Sequence, residues 1–420
     1  MESETYKNKI VYLNEIENKQ NSENPNYIYS RNEVTYFNPS SGKQQMQSYL
    51  HMNDLIVPIL LKIDSRGTLY FAMQYTYIPA LNRIFLELPA YKMEKDIDFT
   101  LNNISKKTNY KIINFKELSS VFSPVSQSIT DQMAKFVEIE VEFEEKKELL
   151  QWYPINCLDD LLKKQDINMS LQTKFGLLLF KEKYKNELQK LIPIEFKENK
   201  RLLRKQFNTK QKYLKKIYEI YRFGVVEKYK TDKKVLKLHN KNKIQYFGDK
   251  SVYATTKNSV QCILTKIENG EVKIGLSKQQ RSPFIAREDV DEYFYEAPAG
   301  LVEKGELFDF AAKREAFEET GIQINGKMIK LCSKLLLSYA TEEMIEFYLT
   351  ELEENYVQTK QQLDEQENIS EIEWFDLKSL DVNKIHSPLT TKISIIMSRK
   401  FYNLWKFAFS KDLWYNIISC

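Results

Sequence analysis

Four glutamates and one arginine are concentrated in one short stretch of the C-terminal third of the chain. Three of the glutamates are spaced so that one α-helix would bring their side chains together on neighbouring turns. Like charges stacked in this way repel each other, and a purely structural helix gains nothing from them. A hard cation such as Mg²⁺ prefers oxygen ligands and would turn the repulsion into a site for phosphate oxygens. The residues are Glu306, Arg314, Glu315, Glu318 and Glu319.

The segment that carries these carboxylates has the pattern of a single helix. Residues 307–320 contain neither Pro nor Gly, and their apolar residues recur at intervals that predict one apolar face. Gly321 follows at the position where a left-handed residue commonly ends a helix. Arg314 can pair with a carboxylate and fix its direction. The alternative to a metal site is a solvated acidic helix. The apolar residues are Leu307, Phe310, Ala311 and Phe317.

The complete spacing resembles the signature of the Nudix family. That signature is Gly, five residues, Glu, seven residues, and then Arg-Glu-apolar-x-Glu-Glu-x-Gly-apolar, and the segment 300–322 fits it. The resemblance covers roughly residues 255–400 and implies an α/β/α sandwich around a mixed sheet, with the motif folded as loop–helix–loop. The matching positions are Gly300, Glu306, Arg314, Glu315, Glu318, Glu319 and Gly321.

The resemblance also implies a divalent-metal site for cleaving a phosphoanhydride. By that resemblance Glu315 and Glu319 are the best ligands for Mg²⁺ or Mn²⁺, with the Ala299 carbonyl beside them and Glu318 as a further ligand. Glu306 is similar to the loop carboxylate that supports the helix. The metal would bridge pyrophosphate oxygens and help to activate water, while the protein supplies positioning and charge neutralisation. The catalytic residues so implied are Arg314, Glu315, Glu318 and Glu319.

A second stretch resembles the branch of the family that cleaves ADP-ribose and nucleoside-diphosphate sugars. In that branch a Gln-x-Arg strand precedes Glu-x-Pro-Ala-Gly, and here Gln279-Gln-Arg281 precedes Glu296-Ala-Pro-Ala-Gly300. The resemblance implies that Arg281 contacts phosphate and that Glu296 lies beside the substrate or metal, with Ala299 and Gly300 also in the substrate site. An ordinary surface arginine is the alternative for Arg281.

Two loops after the motif leave the substrate open. The branch usually carries Ser-Pro-Gly after the helix, whereas residues 338–343 are Ser-Tyr-Ala-Thr-Glu-Glu and contain neither Pro nor Gly. A late acidic loop often supplies the catalytic base in this branch, and residues 364–367 correspond to it. Glu365 and Glu367 are therefore the candidates for the base, although an acidic loop is most often only solvated.

The first half of the chain repeats the pattern of the second half in a degenerate form. Glu87-Leu-Pro-Ala lines up with Glu296-Ala-Pro-Ala, and matches before and after keep their order over about 120 residues. At the positions of the arginine and three glutamates, the first copy carries amides and lysines. A lysine ammonium has no lone pair for a metal ion, so we predict two Nudix domains in tandem, of which the first is a pseudo-enzyme. The replacing residues are Asn102, Asn103, Lys106 and Lys107.

The connector between the copies is strongly basic. Residues 181–245 hold 21 Lys and Arg against 7 Asp and Glu, and apolar residues at helical spacing predict that part of it is an amphipathic helix. Its partner would be RNA, an anionic membrane surface or an acidic protein, and the alternative is a solvated helix packed on the two domains. The predicted divisions are a polar extension (1–49), a degenerate Nudix-like domain (50–184), a basic helical connector (185–250) and an intact Nudix domain with an aromatic C-terminal helix (251–420).

Composition excludes several other kinds of site. Four cysteines without a Cys-x-x-Cys pair argue against a zinc site or a disulfide framework, and three scattered histidines argue against a histidine-based triad. No stretch approaches the 18 or more apolar residues of a membrane span. The acidic start resembles no targeting signal, so we expect a cytoplasmic or nuclear protein. A mitochondrial location would require import without a recognisable targeting peptide.

The sequence thus favours one class of function and leaves others open. It favours a Mg²⁺-dependent pyrophosphatase that hydrolyses ADP-ribose or a related nucleoside diphosphate derivative. The alternatives are a non-catalytic structural subunit of a large assembly, such as a mitochondrial complex or ribosome, and a sensor that binds ADP-ribose. We expect the two copies to pair within the chain, or the chain to form a homodimer.

Overall fold

The computed structural model places the described residues in two mixed β-sheets with flanking helices, each preceded in the chain by a three-stranded antiparallel sheet. The structure describes residues 10–15, 28–38, 43–78, 81, 83–108, 110–126, 130–142, 150–163, 167–184, 233–237, 243–247, 251–255, 257–285, 287, 289–332, 334–338, 341, 343–364 and 367–409.

The first half contains eleven strands, three helices and one 3₁₀ turn among its described residues. In chain order they are β1 (Ile10–Glu15), β2 (Ile28–Asn38), β3 (Lys43–Met52), β4 (Leu55–Ile63), β5 (Leu69–Ile78), β6 (Arg83–Glu87), β7 (Tyr91–Lys92), α1 (Ile97–Thr108), β8 (Lys111–Glu117), β9 (Ser123–Pro124), β10 (Met133–Glu142), β11 (Gln151–Pro154), the 3₁₀ turn Ile155–Cys157, α2 (Leu158–Lys163) and α3 (Leu171–Lys183).

The second half follows the same plan from Lys233 onward. Its described elements are β12 (Lys233–Lys237), β13 (Lys243–Phe247), β14 (Ser251–Thr255), β15 (Ser259–Glu268), β16 (Glu271–Gln280), α4 (Ser282–Ile285), β17 (Tyr293–Glu296), β18 (Ala299–Leu301), α5 (Phe308–Thr320), β19 (Ile329–Lys330), β20 (Leu335–Leu336), β21 (Met344–Glu351), β22 (Glu373–Asp376) and α6 (Leu389–Phe409).

The two larger sheets have the same connectivity. In the first, β4 lies parallel to β10 and antiparallel to β5 and β7, and the edges are completed by β6, β8, β9 and β11. In the second, β15 lies parallel to β21 and antiparallel to β16 and β18, and β17, β19, β20 and β22 complete the edges in the same way. The predicted fold class, α/β with mixed sheets in two domains, is therefore confirmed.

The equivalence extends to single hydrogen bonds. The backbone N–H of Leu88, just after β6, donates to Oγ1 of Thr173 in α3 at 2.9 Å. The backbone N–H of Ala297, just after β17, donates to Oγ1 of Thr391 in α6 at 3.2 Å. In each half, one buried threonine therefore joins the last helix to the chain after the same strand.

The central strand β15 is apolar because helices cover both of its faces. Val260, Cys262 and Leu264 pack with the alanines of α5, while Ile263 belongs to the cluster that includes the apolar residues of α6. Strands buried on both faces have nearly continuous apolar sequences instead of an alternating pattern. The sandwich layers of the second half are thus α5, the sheet and α6.

The motif helix begins and ends close to its predicted limits, but its buried face is different. α5 covers Phe308–Thr320 and ends at Gly321, whose φ of 71° is left-handed as predicted. The predicted apolar face is wrong in part, because Leu307 and Phe310 are each 62% exposed. The alanines of α5 are small enough to let the helix lie close to β15. The spacing of the larger apolar residues does not predict that the alanine face is the buried one. The fully buried apolar residues of α5 are Ala311, Ala312 and Ala316.

The two halves share one core. A single cluster of buried apolar side chains includes Phe175 and Phe180 of α3 together with Ile393 and Ile396 of α6, and these two helices pack against each other. A bridge between Ser170 and Leu336 also joins the halves. The molecule is therefore held together by equivalent helices of its two parts.

Two of the predicted limits between divisions are crossed by elements of the structure. β1, β2 and most of β3 lie within residues 1–49, and β3 continues past that limit. β12 and β13 lie within the predicted connector 185–250 and form a three-stranded sheet with β14. The predicted amphipathic helix of the connector and the aromatic segment 410–420 lie outside the described residues.

Within the described part of the chain, no helix is both long and apolar enough to cross a membrane.

Candidate functional site

The carboxylates of α5 lie against the short strand β18. The backbone N–H of Ala299 donates to Oε2 of Glu319 at 3.3 Å. A Cβ atom on Gly300 would lie 2.1 Å from Cδ of Glu315, so only glycine lets that carboxylate come so close to the strand. The Ala-Gly dipeptide of the motif thus makes room for the two glutamates that the sequence predicts as metal ligands.

Arg314 links the glutamates of the motif to one another. Its Nε and Nη2 donate to the two oxygens of Glu306 at 2.9 and 3.0 Å. Its Nη1 donates to Glu315 at 2.7 Å and to Glu318 at 2.9 Å. This fork geometry fixes the loop carboxylate, and it lowers the pKa of Glu306. The structure therefore has Arg314 paired with carboxylates, as the sequence indicated.

Burial and mutual repulsion disfavour the charged forms of three carboxyl groups. Glu319 is 5% exposed, and burial, followed by the charges of Glu367 and Glu315, raises its pKa well above the ordinary range. Burial raises the pKa of Glu315 to about 7, against the opposing effect of Arg314. Burial also raises the pKa of Glu367. A cation placed among these groups would relieve the repulsion that protons otherwise relieve.

Arg281 and Glu296 form a bidentate ion pair next to this group. Nε and Nη2 of Arg281 donate to the two oxygens of Glu296 at 2.7 and 2.6 Å. The side chains are only 15% and 3% exposed, so Arg281 is not an ordinary surface arginine. Burial opposes its charge, but Glu296, Glu319 and Glu367 outweigh that effect and raise the pKa of Arg281.

The acidic loop is tied to both sides of the site. The backbone N–H of Gln362 donates to the carbonyl of Glu318 at 2.8 Å, and that of Gln280 donates to the carbonyl of Asn368 at 3.2 Å. Oε2 of Glu367 accepts from the backbone N–H of Asp364 at 3.0 Å. Glu367 thus lies close enough to influence Glu319 electrostatically, whereas Glu365 lies outside the described residues.

The oxygen atoms of this group are of the kind that a hard divalent ion binds, but the described side chains are not grouped around one point as metal ligands would be. Carboxylate and carbonyl oxygens are the ligands that Mg²⁺ and Mn²⁺ prefer. Over the described ranges, however, no three His, Cys, Asp or Glu side chains are already grouped as a metal site. Arg314 holds one oxygen of Glu315 and one of Glu318. Holding a metal through Glu315 and Glu318 would therefore use their other oxygens or require Arg314 to release these two.

Two largely buried, ionisable side chains of the second half give no signal in the sequence. Arg287 forms an ion pair with Asp54, a residue of the other half, and a pair so distant in sequence leaves no local pattern. Glu343 is 4% exposed, and burial raises its pKa to about 7. From the sequence, Glu343 is only one residue of a loop that lacks Pro and Gly. No pattern in the neighbouring residues predicts that its side chain is buried.

The corresponding place in the first half has different chemistry. Glu87, which aligns with Glu296, is fully buried and accepts hydrogen bonds from Ser170 and Thr173. Nδ2 of Asn103, at the position of Glu315, donates to Glu94 at 2.9 Å. The side chain of Lys107 lies outside the described atoms. In the first half, hydroxyl and amide groups thus donate to the carboxylates of Glu87 and Glu94.

Comparisons with known proteins agree with the motif. Residues 259–393 match the model of the NUDIX domain. A crystal structure of an ADP compounds hydrolase is 13% identical, with a TM-score of 0.33, and the match covers 42% of this chain and 94% of that one. The NUDIX domain of Shewanella oneidensis NrtR complexed with ADP ribose is 16% identical, with a TM-score of 0.27 and coverage of 35% and 89%. No curated protein matches the sequence.

The structural likenesses are too weak to carry an argument. The family assignment rests on the match of residues 259–393 to the domain model, together with the motif residues that this segment contains. Residues 259–393 are therefore assigned to the NUDIX domain family.

Proposed function

We propose that the protein is a Mg²⁺- or Mn²⁺-dependent pyrophosphatase that hydrolyses ADP-ribose or a related nucleoside diphosphate derivative. One observation carries the proposal. Arg314 joins Glu306, Glu315 and Glu318, and the buried Glu319 accepts from the backbone N–H of Ala299 close enough to feel the charge of Glu315. Such a concentration of acidic groups destabilises a protein unless a cation offsets it.

Each residue of the group has a role in this proposal. Glu315, Glu318, Glu319 and the Ala299 carbonyl would hold the ion, which when bound neutralises phosphate charge and lowers the pKa of a bound water. Glu306 and Arg314 keep the carboxylates in place. In the reaction, one P–O bond of the anhydride breaks and the oxygen of water forms the new one.

Arg281 and Glu367 would serve the substrate and the proton. Arg281 is a buried cation between Glu296 and the carboxylate group, and a pyrophosphate could take over part of its pairing with Glu296. Glu367 is a candidate for the base because it lies close enough to Glu319 to influence its charge, and burial raises the pKa of Glu367 itself. Glu365 is the second candidate for the base.

We also infer that the first half is a degenerate Nudix copy without catalytic activity, paired within the chain with the second. The shared strand order, the matching Thr173 and Thr391 bonds and the contact of α3 with α6 support this inference. At the positions that align with Glu315 and Glu318, the first half has Asn103 and Lys106, which supports the inference that it lacks a metal site, because a lysine ammonium has no lone pair for a metal ion. A homodimer is the alternative arrangement for the pairing.

Release of phosphate products tests the proposed reaction. The purified protein would be assayed with Mg²⁺ against ADP-ribose, UDP-glucose, NADH, diadenosine polyphosphates and capped RNA. We expect Glu319→Gln to lower turnover by at least about 10²-fold while the protein remains folded by circular dichroism. Glu303→Gln makes the same chemical change at an exposed position of the motif loop and should leave turnover unchanged. Turnover that survives Glu319→Gln would refute the assigned site.

A second candidate is a non-catalytic protein. It is favoured by the engagement of Glu315 and Glu318 with Arg314 and by the absence of a grouped metal site within the described residues. If no substrate is turned over but ADP-ribose raises the melting temperature, the protein is a sensor. If neither occurs, a structural subunit of a large assembly is favoured. A contact with RNA or protein through residues 185–245 would then identify the partner by copurification.

A further inference from the structure

We propose that Asp54 of the first half clamps Arg287 and thereby positions Arg281 in the candidate site of the second half. Asp54 and Arg287 are positioning residues, since neither belongs to the carboxylate group itself. The ion pair between Asp54 and Arg287 is a contact that the structure shows. The inference rests on the proposed function only where it assigns Arg281 to the substrate.

The clamp is a bidentate, largely buried ion pair between the halves. Nη1 and Nη2 of Arg287 donate to the two oxygens of Asp54, each at 2.9 Å, and Nη1 also donates to the carbonyl of Asp131 at 2.8 Å. The side chains of Arg287 and Asp54 are 17% and 22% exposed. The backbone N–H of Met133 fixes Asp54 in turn, at 2.9 Å. Two parallel charge-assisted bonds of this kind fix direction as well as distance.

Backbone hydrogen bonds connect the clamp to Arg281. The N–H of Arg287 donates to the carbonyl of Phe284 at 3.0 Å, and the N–H of Phe284 donates to the carbonyl of Arg281 at 3.0 Å. The N–H of Arg281 donates to the carbonyl of Glu292 at 2.8 Å. These bonds join the described residues between Arg281 and Glu292, which include α4, into one turn, so we expect a shift at Arg287 to reach Arg281.

Apolar contacts hold the same turn against the first half. Phe284 is fully buried in a cluster with Met133 of the first half and Phe294 of the second, and its ring lies 5.0 Å from that of Phe294. Ile285 packs against Tyr49 of β3. The first half therefore covers the turn on its apolar side while Asp54 holds it on its polar side.

The clamp gives the first half a part in the chemistry of the second. Arg281 can meet a phosphate only if its guanidinium lies where the Glu296 pair now places it. A displaced Arg281 would lose its contact with phosphate in the ground state and the transition state alike, which raises KM and leaves kcat nearly unchanged. A half without its own carboxylate set can in this way set the affinity of the other half for its substrate.

The matched variants Asp54→Asn and Asp289→Asn test the clamp. Asp289 binds the same guanidinium at 2.7 and 3.0 Å, but it lies in the same turn, so losing it does not separate the halves. Asp54→Asn keeps an oxygen that can accept from Met133. We expect Asp54→Asn to raise KM about tenfold with kcat changed less than about twofold, because uniform binding is lost. We expect Asp289→Asn to leave KM unchanged.

A purely structural role would give a different result. Partial unfolding lowers the active fraction, so kcat would fall at unchanged KM, and that outcome would overturn the proposal. Arg287→Lys keeps the charge but loses the bidentate geometry, and it should raise KM in the same direction. This second variant decides the matter if Asp54→Asn does not fold.

Amide hydrogen exchange of residues 282–292 tests the clamp without any substrate. We expect faster exchange there in Asp54→Asn than in Asp289→Asn, and equal exchange in both would overturn the clamp. Absence of turnover in the wild-type protein would refute the proposed function instead, while the exchange measurement would still decide the clamp. The two failures are therefore distinguishable.

Discussion

Gly300 contributes to the site through the space that it leaves beside Glu315. A Cβ atom there would overlap the carboxyl group, with 2.2 and 2.3 Å to its two oxygens. Those atoms are the end of a flexible side chain, so Glu315 can turn away at little cost to folding. The side chain would then no longer lie against β18, where Ala299 offers its carbonyl.

We therefore expect Gly300→Ala to separate stability from activity. Turnover should fall by about 10²-fold, as for the loss of one electrostatic contact in a site, while the melting temperature changes little. Gly326→Ala is the matched control, because its Cβ would have ordinary contacts, the nearest at 3.6 Å. Turnover with each candidate substrate and thermal unfolding would be measured on both variants. Unchanged turnover in Gly300→Ala would show that Glu315 does not need this position.

At the scale of residues, the sequence predicts groups whose partners are close in the chain. The glutamates of α5 and Arg314 lie within one helix and its preceding loop, so spacing alone predicts that they meet. Arg287 and Asp54 meet only because the two halves pack. No local periodicity encodes such a contact. The direction in which Glu318 turns is likewise a result of competition for Arg314, which spacing does not determine.

At the scale of elements, the end of α5 depends on the backbone conformation of Gly321. Its φ is 71°, and an added Cβ would lie 2.0 Å from the carbonyl oxygen of Thr359, which is backbone and cannot rotate away. The N–H of Thr359 also donates to the carbonyl of Gly321 at 2.8 Å. The C-terminal end of α5 and the segment around Thr359, which precedes the acidic loop, therefore pack directly against each other.

Gly321→Ala and Gly305→Ala should destabilise the protein to different extents. Gly305 also has a left-handed φ, of 86°, but nothing lies within 4 Å of an added Cβ. We expect Gly305→Ala to cost roughly 1–2 kcal/mol for the left-handed conformation alone. Gly321→Ala should cost clearly more, because it adds the overlap with Thr359. Urea unfolding of both variants would measure the difference, and equal costs would contradict this account of the helix end.

Helix α6 carries a lysine whose burial makes stability depend on pH. Lys392 is 1% exposed, and burial lowers its pKa from the ordinary 10.5 to about 7. Below about pH 7 both the folded and unfolded states bind the proton, and the folded state bears the full cost of a buried charge. Between pH 7 and 10.5 the folded state has released the proton, so stability rises with pH.

We expect Lys392→Met to stabilise the protein most at low pH. Methionine fills a similar volume without a charge, and the gain should be on the order of a few kcal/mol near pH 6 and smaller near pH 9. Lys378→Met, at an exposed position, is the control and should give no gain that depends on pH. Urea unfolding at both pH values would test this. A gain independent of pH would mean that the amine is not the source.

At the scale of the whole molecule, the shared core predicts cooperative unfolding. One apolar cluster contains α3 and α6 together with strands of both sheets, so neither half can unfold without exposing the other. We expect a single calorimetric transition whose calorimetric and van't Hoff enthalpies agree. Two separate transitions would show that the halves are independent domains.

The sequence indicates the order of the two copies but not how they pack. Glu87 and Glu296, which the predicted repeat aligns, end β6 and β17, and the strand connectivity of both sheets follows the same order. The contact of α3 with α6 could not be predicted, because each helix shows only that it has an apolar face. The buried face of α5 was predicted wrongly in part, because the sequence shows that Leu307 and Phe310 are apolar but not that they are exposed.

The shared core constrains how the sequence can change over generations. A substitution that weakens the packing of α3 also loosens α6 and the sheet on which the motif glutamates lie. Purifying selection on the second half therefore extends to positions of the first half that never meet a substrate. The half without a carboxylate set cannot drift freely or be deleted, and its conserved features should be those of packing, such as Thr173, more than those of chemistry.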